Sequence, residues 1–133
     1  MTRRGGKVKR LGRFFRKALD IMDKSLKGAA MTTTILPPED CQTMTEVRAG
    51  VDALDQALVR LIARRYGYMD AAARIKTDRN VVRDEARKAQ VLDNVEHAAR
   101  AHGLPAEDVR GLWEDLVESS IAYELRAWDR TRA

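Results

Sequence analysis

The chain has 133 residues, 44% of them hydrophobic and 5% aromatic, which suits one small domain with a modest core. The net charge of +5 is unevenly placed: residues 1–30 carry ten Lys/Arg against two Asp, whereas residues 31–133 carry fifteen against eighteen acids. The bulk of the chain is therefore mildly acidic, which disfavours nucleic-acid binding by residues 31–133, and no apolar run approaches the roughly 18 residues of a membrane span.

Ala, Arg, Leu and Glu abound, while Val/Ile/Thr runs and hairpin dipeptides are scarce, so an all-α fold is expected. A single cysteine, Cys41, excludes an internal disulfide and a zinc site built on cysteine alone. That fits a reducing, cytoplasmic compartment.

Residues 1–36 read as a basic extension and linker, and residues 37–133 as the helical domain. The extension is expected to be disordered, or to be upstream sequence ahead of a start at Met31; Leu11, Phe14, Phe15 and Leu19 would otherwise make it a short amphipathic helix at an anionic surface. It lacks the continuous apolar segment of a secretory signal. Pro37 and Pro38 then deny helix to what precedes them.

From residue 44 the periodicity strengthens. Val47, Val51, Leu54, Leu58, Leu61, Arg65, Tyr68, Ala72 and Ile75 are spaced alternately by four and three, the seam of helices packed along their length. The spacing predicts one helix from about Thr45 to about Lys76, roughly 45 to 50 Å long at ~1.5 Å per residue. A second helix is expected within "RDEARKAQVLDNVEHAARAHG", with Asp84 as N-cap, Val91, Leu92, Val95 and Ala99 inward and Gly103 as the stop. The third begins after Leu104, with Pro105 in its first turn, Glu107 and Asp108 near its positive end, and Val109, Leu112, Trp113, Leu116, Ser120 and Tyr123 as its stripe. Two shorter helices cannot bury one long seam. A second copy of the long helix could, so an intertwined homodimer is expected.

Polar residues interrupt these stripes. Arg65 stands where the seam asks for an apolar residue, and Lys76, eleven residues on, returns to within about 20° of the same face. Arg48 lies about 25 Å from Arg65 along the axis, too far to join a compact site in the same chain, though it could reach the site of an antiparallel partner. Arg87 opens the second helix, and Ser120 and Glu124 share a face of the third. Buried guanidinium groups are costly unless they meet anions, so this cluster points to a polyanionic ligand. Periodicity alone leaves a second reading open, in which Arg65 snorkels or pairs with Asp70 or a third-helix acid. His97 and His102, five apart, lack the spacing of a helical metal site.

The stretches "VRAGVDALDQALVRLIARRYGYMDAAARIK", "VVRDEARK" and "GLPAEDVRGLWEDLVESSIAYEL" resemble the all-helical chorismate mutase family over about residues 38–130. Arg48, Asp55, Arg65 and Lys76 match its motif without gaps. The resemblance implies a three-helix subunit in an intertwined homodimer, a pocket for the dicarboxylate chorismate, and no cofactor or metal, because the rearrangement to prephenate is intramolecular. It implies that Arg48 reaches the partner's pocket, that Arg65 and Arg87 bind substrate carboxylates, that Lys76 contacts the ether oxygen and a carboxylate, and that Asp84 and Ser120 line the pocket.

Two positions depart from the pattern. Glu124 stands where well-known mutases have a glutamine that donates to the ether oxygen, and an ionised carboxylate cannot donate; the expectation is that burial keeps it neutral, with activity declining as pH rises. Lys88 stands where some mutases have a glutamate near the ring hydroxyl, and it would pair with Glu124 or sit in solvent. "PPEDC" and "IAYELRAWDRTR" resemble instead the isochorismate pyruvate lyase branch, which shares the fold and releases salicylate and pyruvate. A third reading is a helical dimerisation module without turnover.

Overall fold

The computed structural model describes residues 34–133; the expectations for the basic extension fall, up to residue 33, outside that range. Among the described residues the chain is all-α, with three long helices: α1 (Met44–Ile75), α2 (Glu85–Ala101) and α3 (Ala106–Thr131). No helix among them is long and apolar enough to cross a membrane. The chain divides into two compact units, with the boundary between Leu61 and Ile62.

In the first unit, Pro37 and Pro38 lead into a single 3-10 turn, Pro38–Asp40. The start of α1 is set by a reciprocal cap. The backbone N–H groups of Gln42 and Thr43 donate to the Glu46 carboxylate at 2.7 and 2.9 Å, while the Glu46 N–H donates to the Thr43 hydroxyl at 3.3 Å. Three backbone donors that a helix start leaves unpaired are thereby satisfied. Those hydrogen bonds, from Gln42 first and then Thr43, hold the Glu46 carboxyl below its ordinary range. The seam positions Val47, Val51, Leu54, Leu58 and Leu61 are all exposed in the single chain, from 38% to 61%.

In the second unit, α1 ends where Asp78 accepts from the Asn80 N–H and turns the chain into the short 3-10 segment Arg79–Val81. Asp84 caps α2 as expected, its carboxylate accepting from the Arg87 N–H at 2.9 Å. The other end of α2 closes on Gly103, whose φ of +70° is the left-handed conformation that glycine adopts without penalty. Leu104 N–H returns to Ala99 O at 2.9 Å and Gly103 N–H to Arg100 O at 3.2 Å, pairing carbonyls that the helix end leaves free. Pro105 is the residue before α3 rather than part of its first turn, a one-residue shift within the normal spread of helix ends.

The core of this unit is Val82, Val117 and Ile121, with Val91, Leu125 and Trp128 packed against it. Leu92 and Ala99 of α2 are buried as expected. The expected α3 stripe needs correction: the buried set is Val117, Ser120, Ile121, Glu124 and Ala127, while Leu112 is 66% exposed. Ser120 of the expected stripe is buried, and so is Glu124 on the same face, whereas the N-terminal part of the stripe at Leu112 is left uncovered in the single chain.

Candidate functional site

The second unit brings four of the expected site residues together. Ser120, Glu124 and Trp128 on α3, and Arg132 at its C-cap, follow at intervals of four, the spacing that builds a ridge on a helix surface. Each meets the stretch from Arg65 to Lys76. The Arg65 guanidinium donates to the Ser120 hydroxyl at 2.5 Å, and that hydroxyl donates onward to Leu116 O at 2.6 Å. The Lys76 ammonium lies 2.6 Å from a Glu124 oxygen and 3.4 Å from Val82 O. Glu124 is buried, its side chain 5% exposed, whereas that of Lys76 keeps 29%.

Arg65 does face inward, but not to form an ion pair with Asp70. Asp70 instead accepts from the Tyr123 hydroxyl at 2.8 Å, which together with burial holds that phenol above its ordinary range. Tyr66 packs edge-on against Tyr123, ring centroids 4.8 Å apart. The partner that the structure gives Arg65 is a neutral hydroxyl, so among the described residues its positive charge is oriented without being neutralised. Lys76 is opposite in kind, since its charge already meets an internal carboxylate.

The remaining expected residues stand apart from this quartet. Arg87 is exposed and donates to Gln90 at 2.5 Å. Asp84 is engaged in capping α2. Lys88 neither pairs with Glu124 nor sits free in solvent: its ammonium lies 2.5 Å from Glu114 and 2.7 Å from Glu118, and those bonds, Glu114 first, raise its pKa. Arg83 forks onto the same Glu118 at 2.8 and 3.0 Å. Arg83 and then Lys88 hold the Glu118 carboxyl down at about 2. Arg48 belongs to the first unit, where it is exposed on α1.

Two ridge members escaped sequence reasoning. The Trp128 indole N–H donates to Lys76 O at 3.1 Å, and Arg132 donates to Lys76 O at 2.5 Å and to Ala73 O at 3.0 Å. Continuing the four-residue step from Ser120 and Glu124 would have reached both. Chemically, the quartet offers two cations, one hydroxyl and one buried carboxyl, a set suited to holding an anion and stabilising charge on oxygen. It contains no thiol or imidazole, and no cluster of metal-ligating side chains occurs among the described residues.

The profile of the family described as chorismate mutase type II matches residues 47–125. The chain is also similar to the isochorismate pyruvate lyase of Pseudomonas aeruginosa, with 32% identity over 95 residues that cover 71% of this chain and 94% of the relative. The matched span includes every residue of the quartet.

Proposed function

We propose, since the chain belongs to the chorismate mutase type II family, that it converts chorismate to prephenate in a pocket built around Arg65, Lys76, Ser120 and Glu124. The observation that carries this reading is the pairing of those four side chains across α1 and α3. Arg65, oriented by Ser120, takes a substrate carboxylate with no ion pair to break among the described residues. Arg87 takes the second carboxylate once it turns from Gln90. Lys76 faces the ether oxygen, where negative charge accumulates as the carbon–oxygen bond stretches. Asp84 acts by fixing the start of α2 and with it the backbone of Arg87.

The reaction is a rearrangement within one molecule, so positioning and electrostatic stabilisation carry the catalysis, and no cofactor is required. Glu124 donates to the ether oxygen only when protonated. A Glu124 oxygen faces Lys76, so in this reading the ammonium is shared between Glu124 and substrate. Lys88 serves the Glu114–Glu118 cluster rather than substrate.

The functional unit in this reading is a homodimer in which the exposed seam Val47–Leu61 meets a second copy and Arg48 enters the partner's pocket. Five apolar seam residues between 38% and 61% exposed support it, because monomeric proteins rarely leave so long an apolar stripe uncovered. A cytoplasmic location fits the single free cysteine, Cys41.

A second reading, isochorismate pyruvate lyase, is favoured by the relative of that name, 94% of whose length the similarity spans. The same cationic clamp serves an elimination that releases pyruvate. Incubation with chorismate and isochorismate separately decides between them. Prephenate from chorismate supports the mutase, salicylate from isochorismate supports the lyase, and turnover of neither leaves a dimerisation module.

A further inference from the structure

Lys76 directly follows the last residue of α1, where backbone carbonyls have no partner within the helix and the terminal turn is prone to fray. Here those carbonyls are taken from outside. Trp128 donates its indole N–H to Lys76 O at 3.1 Å, Arg132 donates to the same oxygen at 2.5 Å, and its other arm reaches Ala73 O at 3.0 Å. The Arg132 guanidinium lies 4.3 Å from the centre of the Trp128 ring, so the two donors brace each other. A cation at this position also complements the negative end of the α1 dipole. Three residues after Lys76, Arg79 forks onto Asp129 at 2.8 and 3.1 Å. The backbone on the far side of Lys76 is thus tied to the same stretch of α3.

The geometry points to Trp128 and Arg132 as positioning residues for Lys76, acting through its backbone carbonyl. Neither touches the ammonium. They fix the origin of a long, flexible side chain relative to α3, the helix that carries Ser120 and Glu124, so that the ammonium has few places to go. Lys76 is thereby held at both ends, by Trp128 and Arg132 at its carbonyl and by Glu124 at its nitrogen. The ridge that binds the cation also sets its backbone. The catalytic consequence rests on the reading of Lys76 as a substrate contact; the clamp itself does not.

The test uses the full chain with Arg132→Met, Arg132→Lys and Trp128→Phe, each measured two ways. The first measurement is the rate of amine acylation at Lys76 relative to Lys88, read by peptide mass spectrometry alongside the thermal midpoint. Loss of one anchoring hydrogen bond in Trp128→Phe, and of two in Arg132→Met, should raise labelling of Lys76 about fivefold or more while Lys88 stays unchanged. Arg132→Lys, which keeps a donor and a charge, should return part of the protection. The second measurement is turnover, where kcat should fall about tenfold, by more than KM rises, because a small displacement of a catalytic group is costly. Equal rises at Lys76 and Lys88, or no change at either, would overturn the clamp. A response at Lys76 in a protein that turns over neither substrate would uphold the clamp and reject the proposed reaction.

Discussion

Residues 44–61 and 62–75 are consecutive stretches of one helix, on one unbroken seam spacing, yet they meet different fates. In the first stretch the seam is Val47, Val51, Leu54, Leu58 and Leu61, every one exposed. In the second, Tyr68 and Ile75 stay exposed as well, but Arg65 enters the spacing and finds Ser120, Ala73 beside the seam is buried, and Lys76 just past the helix end is held by α3. An apolar seam thus announces that a surface needs covering and is silent about the cover. A polar residue on the same seam is more informative, because its hydrogen-bonding demands select a particular partner.

The largest effect should come from attacking the first stretch. Leu54→Glu with Leu58→Glu places like charges on the seam, and the protein should sediment at monomer mass, with turnover reduced by at least about a hundredfold as Arg48 of the second copy is lost. A dimer that persists with full turnover would break the contrast at its first half. In the second stretch, Lys76→Ala should lower kcat/KM about a hundredfold. It should also destabilise the fold, because Glu124 keeps its burial and loses its partner; kinetics and thermal unfolding read the two effects separately.

Glu124→Gln sharpens the comparison more gently. The amide is a permanent donor of nearly the same shape, so the fold should be kept and turnover retained or raised. A variant that folds but loses turnover would show that the carboxylate opposite Lys76 is itself required. The smallest effect is expected at Glu118. Its carboxyl is held at about 2 by Arg83 and then Lys88, against an ordinary 4.5, so its contribution to stability is whole above 4.5 and drains away as the pH falls toward 2. Glu118→Gln should lose that portion of the acid dependence in unfolding curves and change turnover less than about twofold, as expected for exposed ion pairs.

The signals that sequence carried well were local. Asp84 and Gly103 bound α2 because a capping carboxylate and a positive φ each depend on a few neighbouring residues, and the α1 seam persisted over eight intervals. The pattern Thr43-x-x-Glu46 was equally local and marks the true helix start. Less legible was anything decided across helices. Leu112 looked like core because it is apolar, yet it is exposed in the single chain; Glu124 is buried as expected, but that Lys76 faces it was not legible. Lys88 could not be placed without knowing that Glu114 and Glu118 face it. Arg65, Lys76, Ser120 and Glu124 were legible as types at a spacing, whereas their pairwise assignment needed the fold.

The stacked indole at residue 128 has an optical consequence. The chain has two tryptophans, and one of them lies beneath a guanidinium with its ring nitrogen bonded to the backbone of Lys76. Emission from that ring, isolated by replacing Trp113 with phenylalanine, should shift in colour and intensity whenever the end of α1 moves. The protein therefore carries a built-in fluorescent gauge of the α1 terminus, readable in a stopped-flow cuvette without any added dye.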